Sequence, residues 1–410
     1  MNILSLSSVY PNPHEPGLGL FVRSRLQALA QHAEIKVIAP IPLLDYSHPQ
    51  RKILRKRNFP ESQVDGALEV FHPRWFFPPY GTPLNVAFEF ARLLPLIARI
   101  RKEFAFDLID AHFAYPEGCT AALLSSVFQV PFTITIRGSE TLFDCYRYRR
   151  AAMKAALHRA DLVIPVSDEL RTFAISRGAN PERTHTIPNG VDKDVFRLQD
   201  SLAMRRLHQL PLGRKLLLSA GELIEAKGHH LVMEALQSVL AQGIDAELLI
   251  VGATARGGPQ FEQTLRQQVR DTGMGDRVRF LGWVDRWTLS DLISAADLFC
   301  LASYTEGWPN VVNEALACGT PVVVTQVGGV SAMVPSPRYG TIVPQRNPHA
   351  LQEAIVSCLQ RSWDRAEICR WGQARSWDAV AREVLDTFSQ VLNVPSDDDK
   401  SRSHCVVDNN

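Results

Sequence analysis

Short β-branched runs alternate with longer helical segments along most of this chain, and they do so in two separate series. The first series opens with the strand-like ILSLSSV and the helical FVRSRLQALAQH, and it continues through EIKVIAP, FDLIDAHF, FTITIR and LVIPVS. The second series runs from KLLLSA through AELLIVG, RVRFLG and DLFCLAS to PVVVTQV. Strands that alternate with helices in this way form parallel sheets. The pattern therefore predicts two doubly wound α/β domains that face each other across a cleft.

Turn-forming residues separate the two series, in the stretch TIPNGVDKDVF. A chain of 410 residues is also too long for a single core. We predict a first domain over residues 1–190 and a second over 191–375. The amphipathic segment 376–393 is predicted to form a last helix that returns to the first domain, and the polar tail 394–410 is predicted to be disordered.

Composition excludes several classes of protein. A formal net charge of +1 gives no general attraction to nucleic acid, and a hydrophobic fraction of 46% is ordinary for a globular protein. The 7 cysteines are scattered without a CxxC pair, which favours a reducing compartment. No apolar run reaches the ~18–20 residues of a membrane span, and the first residues lack the features of a signal peptide. We expect a cytoplasmic protein that does not cross a membrane.

The stretch EGWPNVVNEALACGTPVV carries two carboxylates, Glu306 and Glu314. Gly, Pro and Asn between them predict a turn, and an apolar run after them predicts a helix and then a strand. Glu306 is therefore predicted on the loop and Glu314 early in the helix. Spacing alone fits a helix start with a solvated face as well as it fits a binding site.

The stretch KLLLSAGELIEAKGHH places Gly221 after a predicted strand and Lys227 just before a predicted helix. A strand, a loop and a helix start with a lysine can hold a diphosphate, because helix N–H groups and the ammonium both face the anion. A surface lysine near a helix start is the alternative interpretation.

Taken together, the motifs resemble the group 1 glycosyltransferases of family 4, which have the GT-B architecture and retain configuration. Each motif is weak alone, but they follow the family's order along nearly the whole chain. They are AHFAYPEG at 111–118, TIRGSE at 135–140, ADLVIPVSDEL at 160–170, IPNGVDKDVF at 187–196, the AKGHH loop, and EGWPNVVNEALACGTPVVVTQVGG at 306–329.

For the second domain, the resemblance implies a site for a nucleotide-diphosphate sugar. Glu314 would hold the donor ribose, Glu306 would lie near the donor hexose hydroxyls, and Lys227 would contact the phosphates. Gly221 belongs to the same donor loop. Small residues after a later strand would let the backbone approach the nucleotide: Val327, Gly328 and Gly329.

For the first domain, the resemblance implies that N–H groups of Gly17 and Gly19 face the pyrophosphate and the transferred sugar. A plain tight turn is the alternative for both. His112, at the end of a predicted strand, would lie near the sugar or the acceptor, unless it is a core histidine. Arg137 follows the strand FTITI, where a guanidinium suits a phosphate or an anionic acceptor.

The implied reaction moves a hexosyl unit from a UDP- or GDP-linked donor to a glycan or lipid-linked acceptor, as in cell-surface or exopolysaccharide synthesis. Neither a metal nor another cofactor is expected. Two positions depart from the family's pattern: Glu222 stands where relatives often have Arg, and Ala332 where they often have Glu. A sugar-nucleotide epimerase of the same architecture, or a homologue that binds donor without catalysis, are the alternatives.

Two basic clusters, RKILRKR at 51–57 and RYRR at 147–150, suggest contact with an anionic membrane or a lipid-diphosphate acceptor. Solvated loop charges explain them equally well. The first cluster lies in a Pro-rich segment, from about Pro42 to Pro83, that is predicted to be an irregular loop projecting from the first domain. With such contact, the protein would be peripheral on the inner face of the membrane.

Overall fold

The structure is a computed structural model that describes residues 1–43, 60–77, 84–254 and 258–393. It contains two α/β domains, each built on a mainly parallel sheet. The predicted fold class, with two Rossmann-like halves facing each other, is confirmed.

The first domain holds strands β1 to β9 and helices α1 to α6. The strands are β1 Asn2–Leu6, β2 Glu34–Ile38, β3 Ile41–Pro42, β4 Ser62–Asp65, β5 Leu68–Phe71, β6 Arg74–Trp75, β7 Leu108–His112, β8 Phe132–Ile136 and β9 Leu162–Pro165. The helices are α1 Leu20–Leu29, α2 Asn85–Glu103, α3 Cys119–Phe128, α4 Ser139–Phe143, α5 Arg147–Arg159 and α6 Asp168–Ser176.

The main sheet of this domain has the order β4-β5-β2-β1-β7-β8-β9. All of its neighbours are parallel except β4, which pairs antiparallel with β5. Strand order reverses between β1 and β7. In open α/β sheets, ligands bind at the carboxyl ends of the strands at such a switch point.

The second domain holds strands β10 to β15 and most of the remaining helices. The strands are β10 Lys215–Ala220, β11 Ala246–Val251, β12 Val278–Gly282, β13 Leu298–Leu301, β14 Val322–Thr325 and β15 Gly340–Val343. The helices are α7 Ser201–Leu207, α8 His229–Ala241, α9 Gln260–Asp271, α10 Arg286–Ala295, α11 Asn310–Ala317, α12 Val330–Met333, α13 Pro348–Gln360 and α14 Arg365–Gly372; α15, Trp377–Asn393, follows them.

The sheet of the second domain is parallel throughout, with the order β12-β11-β10-β13-β14-β15. Its switch point lies between β10 and β13. β13 and β14 read as continuous apolar runs, LFCL and VVVT, because helices cover both faces of the sheet and every residue is buried. Local capping sets several helix starts; Asp285, for example, accepts hydrogen bonds from the N–H groups of Trp287 and Thr288 before α10.

The chain crosses between the domains at two adjacent places. The N–H of Val191 donates to the carbonyl of Arg375 at 3.0 Å, so the two crossing segments run side by side. Beyond the second crossing, α15 packs against α1. Val384 and Phe388 of α15 are both fully buried in the core of the first domain.

The prediction of an irregular loop between Pro42 and Pro83 is wrong for the described residues 60–77. This part forms β4, β5 and β6, and Asp65 pairs with Leu68 across a two-residue turn. The signal was present in the sequence, because Asp-Gly between alternating residues favours a hairpin, and Gly66 has the positive φ of 62° that such a turn requires. The basic cluster 51–57 lies outside the described residues, as does the tail from 394.

Among the described helices, none has the length and apolar character that crossing a membrane would require.

Candidate active site

A cavity of about 1040 Å³ lies between the two domains. Its walls come from loops that follow strands at or beside both switch points. The first domain supplies the segment Glu15–Phe21 after β1, together with Arg137 after β8; the second supplies Gly221 and Lys227 after β10, together with Glu306 after β13. The two halves of the fold thus bring their ligand-binding edges to one place.

On the second domain's side, Lys227 and Glu306 form an ion pair, with Lys227 Nζ 2.6 Å from Glu306 Oε1. Ser303 Oγ donates to the same carboxylate oxygen at 2.8 Å. The Lys227 side chain keeps 27% of its surface exposed, so the ammonium can contact a ligand in the cavity. Gly228, with φ of +70°, ends the lysine loop in a left-handed conformation, and a Cβ there would strike the carbonyl of Ala302.

Glu314 lines the same cavity from α11. Burial raises its pKa to about 7, and this rise is opposed by Arg286 and supported by Asp192. Arg286 Nη2 is itself 3.1 Å from Asp192 Oδ2. A carboxyl group that is partly protonated near neutral pH can both donate and accept hydrogen bonds, which suits contact with ligand hydroxyls.

On the first domain's side, the cavity is lined by Arg137, which is 8% exposed. Its Nη1 donates to Asn189 Oδ1 at 3.0 Å, and its guanidinium carbon lies 5.0 Å from the centre of the Phe21 ring. Its Nε has no hydrogen-bond partner within the described part of the chain. Burial lowers the pKa of Arg137 to about 9, which still leaves it charged at neutral pH.

A chain of buried polar side chains supports Arg137 from behind. His112 Nδ1 lies 3.0 Å from Arg137 Nη2, and His112 Nε2 lies 3.2 Å from Asp110 Oδ2. Because an arginine only donates, Nδ1 is the acceptor and the proton of the neutral ring is on Nε2. Burial lowers the pKa of His112 to about 4. Although burial alone would raise the pKa of Asp110, Arg25 and His112 hold it below its ordinary value.

Two further buried carboxylates join the loops of the first domain. Glu117, after β7, accepts hydrogen bonds from the N–H and the hydroxyl of Ser8, after β1. Glu140 accepts from the N–H groups of Ala114 at 3.1 Å and Gly138 at 2.8 Å. These contacts fix the relative positions of the three strand ends that border the cavity. Glu140 is therefore a buried carboxylate that joins the loops after β7 and β8.

Backbone contacts between glycines close one side of the cavity. A Cβ on Gly138 would lie 3.0 Å from Gly307 N, and a Cβ on Gly307 would strike the carbonyl of Arg137. A Cβ on Gly328 would lie 2.5 Å from the carbonyl of Gly307. The turn that carries Glu306 is therefore held between the first domain and the loop after β14. Any larger residue at these three positions would force the turn to move.

The structure brings most of the predicted site residues to one cavity. Those that line it are Gly17, Gly19, Arg137, Gly221, Lys227, Glu306 and Glu314. His112 is fully buried and reaches the cavity only through Arg137. Val327, Gly328 and Gly329 do not line it; they pack behind the Glu306 turn, and Gly329 N–H donates to the carbonyl of Gly307 at 3.0 Å. A direct contact of these four residues with a ligand stays a prediction.

Sequence reasoning missed other lining residues. Arg286 and Trp283 follow β12, and Asp192 and Asn189 lie in the interdomain linker. A Cβ on Gly17 would lie 2.9 Å from Trp283 Nε1, so this indole touches the opposite domain across the cavity. The signal that could have found Trp283 and Arg286 is their place just after a strand of a parallel sheet. Two positions depart from the family's pattern. Glu222 is exposed and lines the cavity, whereas Ala332 is exposed on α12 and does not line it.

The described residues hold no group of three or more His, Cys, Asp or Glu side chains with the arrangement of a metal site.

Two families match the two halves of the chain. Residues 200–373 match the family described as Glycosyl transferases group 1, and residues 17–195 match Glycosyltransferase Family 4. The boundary between the matches coincides with the linker, and each match covers most of the residues that one domain contributes to the cavity.

Curated relatives agree with these matches. The chain is 33% identical over 369 residues to TuaC of Bacillus subtilis (strain 168), a glycosyltransferase whose name assigns it to teichuronic acid biosynthesis; the match covers 87% of this chain and 88% of TuaC. A D-inositol 3-phosphate glycosyltransferase of Catenulispora acidiphila is 33% identical over 223 residues, covering 52% of each chain.

Solved structures share the fold over almost the full length. Sucrose-phosphate synthase from Thermosynechococcus elongatus superposes with a TM-score of 0.78 at 22% identity, covering 95% of this chain and 99% of that one. Anabaena HepE in complex with UDP-glucose superposes with a TM-score of 0.72 at 22% identity, covering 95% and 100%.

Proposed function

The chain belongs to the group 1 glycosyltransferases, and we propose that it moves a hexosyl unit from a nucleotide-diphosphate sugar to a glycan or lipid-linked acceptor with retention of configuration. One observation carries the proposal. Two cations from facing domains, Lys227 and Arg137, line the same cavity as the carboxylates Glu306 and Glu314. Cations for a diphosphate and carboxylates for sugar hydroxyls are the groups that such a donor requires.

The donor is proposed to be UDP- or GDP-linked. HepE, which shares the fold, has been solved with UDP and with UDP-glucose. In the proposed complex, Glu314 binds ribose hydroxyls and Glu306 binds hydroxyls of the hexose. The N–H groups of Gly17 and Gly19 face the pyrophosphate, because the loop that carries them precedes the N-terminus of α1.

The proposed chemistry places most of the catalytic work on charge neutralisation. As the bond between the sugar and the phosphate breaks, negative charge grows on the departing diphosphate and positive charge grows on the sugar. Lys227 and Arg137 stabilise the diphosphate, while the acceptor hydroxyl attacks the sugar from the face that the phosphate leaves. The departing phosphate oxygen takes the acceptor's proton, so atoms and charges balance. In this scheme no metal ion is needed, and a chelator leaves the rate unchanged.

In this scheme Arg137 acts on the diphosphate together with Lys227. Lys227 already pairs with Glu306, and Arg286 pairs with Asp192. The Arg137 side chain donates to Asn189 and His112, both uncharged, and for its buried Nε the described residues 1–43, 60–77, 84–254 and 258–393 offer no partner. A buried donor without a partner is costly, and a phosphate oxygen would satisfy it. Relatives often have an arginine at the position of Glu222. In this scheme Arg137, from the opposite domain, supplies the second cation that Glu222 cannot supply.

The donor can be identified by a thermal-shift screen over UDP, GDP and ADP sugars. A ligand at about 100 times its Kd raises the unfolding free energy by about 2.7 kcal/mol, so the correct donor stands out from the others. Glu314→Ala serves as the control and should lose this stabilisation. If none of the donors stabilises the wild type, the nucleotide-sugar proposal is wrong.

Turnover separates the transferase from its two alternatives. We expect release of nucleoside diphosphate from the selected donor in the presence of an acceptor, and an α-linked donor should give an α-linked product. Conversion of the donor to an epimer without loss of nucleotide would identify an epimerase. Donor binding without either reaction would identify a non-catalytic binding protein.

We also propose that the first domain touches an anionic membrane through the start of α5. This region exposes Leu142 by 61%, Tyr146 by 53% and Tyr148 by 65%, and it also exposes Arg147 and Arg150. Tyrosines with neighbouring arginines suit the headgroup layer of a bilayer. Co-sedimentation with vesicles tests this: binding should require anionic lipid and be lost in the Arg147→Glu/Arg150→Glu variant. Equal binding to neutral vesicles would refute it.

A further inference from the structure

A second cavity, of about 810 Å³, lies on the first domain and shares no lining residue with the cavity between the domains. Its floor comes from β2 and β5, and one wall comes from the exposed side of α2. Apolar surface along it is supplied by Phe71, Leu96 and Ile100. We call this cavity the α2 groove. Its size falls within the range of small-molecule sites, and the proposed transferase mechanism does not use it.

His72 lines the α2 groove and is 3% exposed. Its Nδ1 lies 3.2 Å from the carbonyl oxygen of Ala39, which can only accept, so Nδ1 carries the proton. Burial lowers the pKa of His72 and favours the neutral ring. The other ring nitrogen, Nε2, therefore carries a lone pair; it is buried, and it has no hydrogen-bond partner among the residues that the structure describes. A ligand with a hydroxyl group would supply the donor that this nitrogen lacks.

Positively and negatively charged side chains line the groove around His72 in nearly equal number. Arg92 and Arg99 are exposed and lie seven residues apart on α2, about 10.5 Å along the helix axis. Arg92 Nε donates to the carbonyl of Arg74 at 2.9 Å, which holds this guanidinium against the strand side of the groove. Glu61 and Glu103 are exposed acceptors on the same groove. Lys36 and Glu69 neutralise each other in an ion pair at its floor.

This balance disfavours a simple anion or a simple cation as the ligand. A polyhydroxylated ligand fits better, since each hydroxyl can donate to a carboxylate or to a histidine nitrogen and can accept from a guanidinium. The apolar strip beside these groups would cover the C–H faces of sugar rings.

We propose that the α2 groove is a binding site for a saccharide chain, separate from the catalytic cavity, which holds a distal part of the glycan acceptor or product. The inference rests on the proposed function in one respect, because the glycan is identified as the acceptor or product through that reaction.

A printed glycan array, followed by calorimetric titration of the strongest binder, tests the proposal with the full-length protein. The groove variant is Arg92→Ser/Arg99→Ser, which removes two exposed guanidinium groups; because Arg92 Nε also donates to the carbonyl of Arg74, circular dichroism and thermal unfolding check that this variant folds as the wild type does. Lys102→Ser is the matched control, since Lys102 is exposed on the same helix and does not line the groove. His72→Phe is a further variant that keeps a ring and removes the acceptor; circular dichroism shows whether it folds.

We expect the double variant to weaken the Kd for the selected glycan by about tenfold to a hundredfold, as loss of hydrogen bonds to charged donors predicts, while Lys102→Ser leaves it within about twofold. Glu314→Ala should bind the glycan as the wild type does. Equal affinity in wild type and double variant would overturn the proposal, as would array signals no higher than background. So would glycan binding that a nucleotide sugar abolishes, since it would place the glycan in the catalytic cavity.

Donor turnover is measured on the same samples. Glycan binding at the groove without any turnover would refute the transferase mechanism and leave the groove as a saccharide site. Turnover without glycan binding would support the transferase mechanism and refute the saccharide site.

Discussion

On the second domain's side of the cavity, Lys227 and Glu306 are partly exposed and pair directly at 2.6 Å. On the first domain's side, Arg137 is supported by His112 and Asp110, which are fully buried. The first arrangement leaves charge available to a ligand and adds little to stability. The second arrangement holds the guanidinium of Arg137 through side chains of the folded sheet. Its buried charges are stable only while they are paired, so losing one partner should destabilise the domain. The two walls should therefore respond differently to mutation.

The largest effect is expected where a buried charge loses its partner. Asp110→Ala removes the carboxylate that faces Arg25 at 3.6 Å and His112 at 3.2 Å, and it should lower the free energy of unfolding by about 3–5 kcal/mol. Urea denaturation measures this. Asp144→Ala is the control, since Asp144 pairs with Arg177 at the surface and its loss should cost about 1 kcal/mol or less. Similar losses in both variants would contradict the contrast between the walls.

A change on the opposite wall should reduce catalysis and leave stability nearly intact. Lys227→Ala is expected to lower kcat by about 100- to 1000-fold, or about 2.7–4 kcal/mol of transition-state stabilisation, because one cation at the diphosphate is lost. Steady-state kinetics with the selected donor measures it, and the unfolding free energy is measured in parallel. Glu225→Ala, an exposed change on the same loop, should leave kcat unaltered. A kcat near that of the wild type would remove Lys227 from the proposed mechanism.

Stability should depend on pH through Glu314. The pKa of its carboxyl is about 7 in the folded protein, above the ordinary value of 4.5, so folding favours the protonated form. The stability that this group contributes is therefore present at low pH and is lost as pH rises from about 4.5 to about 7. Between pH 5 and pH 8, wild type should lose about 2–3 kcal/mol more than Glu314→Gln does.

Glu353→Gln controls for the loss of a surface carboxylate, since Glu353 is 70% exposed, and its pH dependence should follow the wild type. Nucleotide sugar, if it binds Glu314 as proposed, should reduce the difference between wild type and Glu314→Gln. An unchanged pH dependence in Glu314→Gln would assign the effect to other buried acids such as Glu117.

The smallest expected effect joins the two walls. Asn189 Nδ2 donates to Asn310 Oδ1 at 2.9 Å, and Asn189 Oδ1 accepts from Arg137, so this amide connects α11 to the first domain. A double-mutant cycle of Asn189→Ala and Asn310→Ala should give a coupling energy of about 0.5–1.5 kcal/mol in unfolding. Additive single effects would show that the walls are energetically independent.

The sequence predicted the second wall better than the first, for a physical reason. Lys227, Glu306 and Glu314 stand on short stretches whose turns, helix starts and strand ends can be recognised locally. Arg137 is followed by a glycine at a strand end, so its place could be predicted, but its support by His112 and Asp110 could not. Those contacts depend on strand order and register, which bring β7 beside β8. The alternation of strands and helices predicted two α/β domains facing a cleft, whereas the hairpin of β4 and β5 was missed although its Asp-Gly turn was present.

Two chain segments cross between the domains side by side, joined by the hydrogen bond from Val191 N–H to the carbonyl of Arg375. A single crossing would act as a swivel, free to rotate about the chain. Two parallel crossings allow the domains to bend about one axis and resist twisting, since a twist would break the bond between them. Val191 and Trp377 also line the cavity, so an axis through the two crossing segments would pass beside the proposed donor site. Opening should therefore move Lys227 and Arg137 apart along one fixed path, and every closure should restore the same register between the two cations.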